Sequence, residues 1–219
     1  MNISKTKKII LITIAILFLG VGGYKAFKTI SVAYNHKQID NIVKSDGAFD
    51  YKNFAKHLSK QVPPLIPSDM TKEQGKFIQN NVEEYSLKTG EKLAEDKRYS
   101  NEEKAYMTQI VAEWMFHKSV DLSRSEIPAE HKDGILNKIA EDIITTLHET
   151  KAKNTEQTYE IIMVEGKVKE SYNKCIDNLI KDNSITEDVG EKAKNLSNID
   201  ELYKQAMEEA IKKASKANK

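Results

Sequence analysis

Three residues in the middle of the chain have the types and the spacing to do chemistry together. Glu113, His117 and Asp121 step by four, which sets them one above another on a single helix face. Carboxylates and imidazole are legitimate ligands for zinc or iron, and His131 or His148 from a neighbouring helix could complete a set. The competing expectation is ordinary charge patterning. On a helix whose inner stripe is Ile110 and Trp114, these polar residues fall mostly toward solvent. A di-iron bundle carries paired Glu-x-x-His motifs, and neither these nor HExxH occur. No catalytic, cofactor-binding or metal-binding residue is therefore assigned, and no cofactor is expected.

Other chemistries leave equally little trace. There is no G-x-S-x-G elbow and no phosphate-cradling glycine loop, because the nine glycines cluster in the apolar N-terminus or stand singly at turns. A helical hydrolase of the cell wall would need one acid of raised pKa in a substrate groove, and nothing selects one glutamate among many. The single cysteine, Cys175, stands beside Ile176 and Leu179 at helical spacing and reads as a small core residue. It cannot form an intramolecular disulfide, and it does not follow the apolar run as a lipidated cysteine must. Trp114, Tyr106 and Tyr159 read as core rather than as a ligand groove. Phe116, two positions from Trp114, belongs to another face and is expected at the surface.

Composition narrows the classes further. Of 34 basic residues, Lys5, Lys7, Lys8, Lys25 and Lys28 stand in the first 28 positions without an acid, so the remainder carries 29 against 33 acidic side chains. A mildly acidic body has no electrostatic footprint for nucleic acid. A mean hydropathy of -0.57 with 31% charged residues suits amphipathic helices that each bury one stripe.

Those helices hang from an apolar segment. Ile9 to Phe27 supplies nineteen residues with Lys25 as the one charge, close to the length that spans about 30 Å of hydrocarbon. A cleaved secretory signal is the alternative. Gly20-Val21-Gly22 is a mediocre cleavage site with bulky Tyr24 behind it, whereas Tyr24, Phe27 and Tyr34 lie where an interfacial aromatic belt belongs. A retained single-pass anchor is the expectation. Lysines tie at three on each side, so the short tail without acids decides the orientation, with the N-terminus inside and the body extracytoplasmic. Gly22-x-x-x-Ala26 could pack two spans together, but such pairs are common by chance, and the oligomeric state is not fixed.

The expected organisation is a basic tail over 1–8, a transmembrane helix over 9–27, a helical stalk over 28–47 and a helical domain over 48–219. Asp50 caps a first helix with Tyr51, Phe54, Ala55, Leu58 and Val62 inward, ending at Pro63. The prolines of 63–67 predict a stiff, extended elbow into which Leu65 and Ile66 tuck. Capping boxes at Thr71/Gln74 and Ser100/Glu103 open two long helices, Pro128 fits the first turn of a third, and Asn183-Ser184 closes a fourth whose core face includes Met163, Gly166, Tyr172 and Ile176. Short helices follow around Val189 and from about Ile199. No segment alternates with period two, so the fold class is all-α: a transmembrane helix and stalk followed by a bundle of about six to seven amphipathic helices. With a stalk, a helical body and no motif for chemistry, the expected role is non-catalytic binding of another protein of a bacterial envelope. A cell-wall hydrolase and a ligand- or metal-sensing domain are the alternatives.

Overall fold

Four of the six described helices begin where the sequence supplies an acceptor for the first unpaired N–H groups. The computed structural model describes residues 48–153 and 157–196. Helix α1, Tyr51–Ser59, starts with the Asp50 carboxylate accepting the Asn53 N–H at 3.1 Å. Helix α2, Lys72–Ala94, opens on a reciprocal box in which Gln74 and Thr71 exchange bonds of 2.8 and 3.2 Å. Helix α3, Asn101–Arg124, repeats the device with Ser100 and Glu103 at 2.7 and 3.3 Å. Helices α4, Ala129–Lys153, and α5, Gln157–Lys181, follow, and α6, Glu187–Asn195, is capped by Thr186. Such caps stabilise a helix by about 1 kcal/mol each, and all of the regular structure among the described residues is helical.

Helix α5 stops as expected at Asn183, which takes a left-handed φ of 60°. The Asn183 N–H donates to Ile180 O and the Ser184 N–H to Leu179 O, so two terminal carbonyls that the helix leaves open are satisfied by the reversing chain. The elbow departs from expectation. Pro63–Leu65 coil into one 3-10 turn and extended backbone resumes only at Ile66, because proline's fixed φ suits the first positions of a helical turn as well as an extended chain. Leu65 and Ile66 do tuck in, half-buried against the neighbouring core.

The anchor, the stalk and the helix expected from Ile199 lie outside the described residues. Among the described residues no helix is long and apolar enough to cross a membrane.

Helix α3 is a wall shared by two hydrophobic cores. On one side Ala105, Ala112, Phe116 and Val120 meet Phe54, Leu58 and Val62 from α1 and its C-terminal extension and Ile78 and Val82 of α2. On the other, Met107, Val111, Trp114, Met115 and Leu122 pack with Leu136, Ile139 and Ile143 of α4, Val168, Tyr172 and Ile176 of α5, and Ala193 of α6. Phe116 is therefore core, 3% exposed, and not the surface contact that its offset from Trp114 suggests. The offset placed it on another face correctly, but that face has a core of its own. Helix α5 also rotates relative to expectation: Val164 and Val168 are buried, while Met163 and Gly166 are exposed and Cys175 is half-buried.

Close helix approach depends on Gly190, where a side chain would lie 2.4 Å from Ile180 Cδ1, and on Gly90. A side chain at Gly90 would lie 2.5 Å from Tyr51 Cβ, so glycine is what lets the start of α1 rest on the end of α2. Helix α1 then runs back along α2, and the Ser59 hydroxyl reaches Glu83 at 2.8 Å.

Candidate functional site

With both sides of α3 covered, its polar residues have nowhere wet to go. Glu113, His117 and Asp121 are 2, 5 and 3% exposed, which overturns the expectation that they face solvent. An amphipathic reading assumes one buried stripe, and a helix enclosed by neighbours has none in particular.

The three do not converge. Asp121 is taken by Lys118 Nζ at 2.9 Å, an ion pair that is itself buried, and the ammonium lies 4.7 Å from the centre of the Tyr172 ring on α5. Glu113 Oε1 has no hydrogen-bond partner and is 3.9 Å from His117 Nε2, too far for a direct bond. The His117 ring makes edge-on contacts with Phe116 at 5.3 Å and Trp114 at 6.1 Å. Burial pushes the Glu113 carboxyl well above its ordinary range. Burial first, and the Lys118 charge second, depress His117 to about 3. Burial thus disfavours the charged form of both groups, a carboxyl beside an imidazole in a dry interior.

The other histidines stand elsewhere. Among the described residues no group of three or more histidine, cysteine, aspartate or glutamate side chains is placed to hold a metal ion. His148, on α4, meets the connection between α2 and α3: the Tyr99 hydroxyl and Arg98 Nη2, the latter at 3.3 Å, both hydrogen-bond its Nδ1. Arg98 in turn grips Asp96 through Nε at 2.9 Å and Nη2 at 2.6 Å. Nearby, Lys104 Nζ donates to Ala94 O at 2.7 Å and so satisfies a carbonyl at the end of α2. Sequence reasoning did not pair Arg98 and Tyr99 with His148, because nearly fifty positions separate them and no spacing rule reaches that far.

A cavity of about 430 Å³ lies at the opposite end of α3, lined among others by Arg124, Glu126, Asp188 and Lys192. Three of these four charges already have partners, since Arg124 binds Asp69 at 3.0 Å and Lys192 binds Asp188 at 2.7 Å. The half-buried Cys175 has a thiol that burial pushes up, which keeps it protonated and unreactive. Compared with known protein families, with curated proteins and with solved structures, the chain finds no match.

Proposed function

We propose that this chain is a membrane-anchored helical binding module, a non-catalytic component, chaperone or regulator of a bacterial envelope assembly. Its folded body would stand outside the cytoplasmic membrane. What supports the binding role is the enclosure of the polar groups. The most buried carboxyl, imidazole and ammonium side chains among the described residues, Glu113, His117, Lys118 and Asp121, open onto no described cavity and serve the interior of α3. What supports the anchor is the uncharged run from Ile9 to Tyr24 between lysines.

Crosslinking in intact membranes, followed by identification of the captured proteins, tests the binding role. One envelope protein recovered reproducibly supports it, and recovery of random membrane proteins alone sinks it. A reporter fused after Lys219 tests the orientation, and activity confined to the cytoplasm reverses it.

A further inference from the structure

We propose that His148 is a proton-controlled latch that holds the connection between α2 and α3 against α4 and releases it on acidification. The geometry of one nitrogen carries the argument. Arg98 Nη2 approaches His148 Nδ1 at 3.3 Å, and a guanidinium can only donate. Nδ1 must therefore be bare, and the Tyr99 hydroxyl donates to the same lone pair. Protonation gives Nδ1 a hydrogen. The ring can then no longer accept from Arg98, the Tyr99 hydroxyl must turn to accept instead of donate, and two cations face each other at hydrogen-bond distance.

The surroundings of the ring set the direction in which its affinity for a proton moves. Among the described residues, Asp96 and Arg98 are the charged groups that act on it, with opposite sign, and burial disfavours its charged form. Tyr99, edge-on at 5.2 Å, is the other titratable side chain in contact. Asp96 does not titrate with it, because hydrogen bonds from Arg98 hold its carboxyl well below the usual range. His148 is thus the imidazole of this cluster, the side-chain type whose ordinary titration lies between about pH 5 and 8, and burial moves it toward the acid side. The latch also has a strategic position. Tyr51 rests on Gly90, one turn from the end of α2, so the chain enters the bundle at the end that the latch secures.

Hydrogen exchange by mass spectrometry on the full chain in detergent tests the latch at two pH values, with rates corrected for intrinsic exchange. Peptides covering 95–100 exchange about fivefold faster at about pH 5.5 than at about pH 7.5, relative to peptides from the middle of α4. His148→Gln, whose amide oxygen accepts without titrating, abolishes the difference. No acceleration in the wild type, or the same acceleration in His148→Gln, overturns the proposal. Should His148→Gln fail to fold, Arg98→Gln serves, because loss of the facing cation must shrink the response, and an unchanged response counts against the latch.

Discussion

Two histidines of this chain lose affinity for a proton for the same leading reason but in different settings, and the contrast separates an unpartnered interior from a partnered surface. His117 sits inside α3 with aromatic rings around it and a carboxyl 3.9 Å away that it does not bond. His148 lies toward the surface with two donors on one nitrogen. In both the leading cause of the depressed pKa is burial, and a neighbouring cation, Lys118 or Arg98, comes second. Only His148 has an anion, Asp96, pulling the other way. Where water has been removed and little has replaced it, the charged form of a polar group is disfavoured, and the group acts on the stability of the whole bundle. Where partners have replaced water, protonation rearranges one contact.

The largest effect should come from breaking the enclosed ion pair beside His117. Asp121→Ala leaves the Lys118 ammonium buried without its carboxylate and should cost about 3–5 kcal/mol. Denaturant unfolding followed by the fluorescence of Trp114, the one tryptophan, measures it. A loss below about 1 kcal/mol would mean that water reaches the site.

The two enclosed groups should give stability opposing slopes in pH. Glu113 has a folded pKa above its unfolded value of 4.5, so its contribution is full below 4.5 and is lost as pH rises toward the folded value. His117 has a folded pKa of about 3 against 6.5 unfolded, so its contribution is full above 6.5 and is lost as pH falls. Above about 4.5 and below about 6.5 the two slopes oppose one another, and below 4.5 that of His117 acts alone. Glu113→Gln should remove the loss on the alkaline side, up to about 1.4 kcal/mol per pH unit above 4.5 until the folded value is reached. His117→Phe should flatten the acid limb below 4.5 by the same measure. Limbs that persist in both variants would assign the pH dependence to other groups. The smallest effect belongs to the other histidine: Tyr99→Phe should cost about 0.5–1.5 kcal/mol at neutral pH, and an effect as large as that of Asp121→Ala would erase the contrast.

Much of the fold was legible because its signals are local. Asp50, Thr71 and Ser100 each cap as their neighbours three residues on require, and the stripe of Ile135, Leu136, Ile139 and Ile143 is buried throughout. The failures share one cause. A helical wheel for α3 gives Ile110 and Trp114 an inside and therefore gives Glu113, His117 and Phe116 an outside, but the number of neighbours around a helix is a property of the whole chain. The proline elbow failed for a smaller reason, since φ near -65° belongs to two conformations and the sequence around Pro63 does not choose between them.

The seat of Tyr51 on Gly90 has a mechanical consequence. Tyr51 enters beside the end of α2, whereas Leu196 lies by Arg124 at the far end of α3, a helix of 24 residues and so about 36 Å long. Because α1 runs inward from its point of entry, tension applied between residues 48 and 196 slides α1 lengthwise along α2 instead of peeling it away turn by turn. All the contacts of Phe54, Leu58 and Val62 then bear the load together.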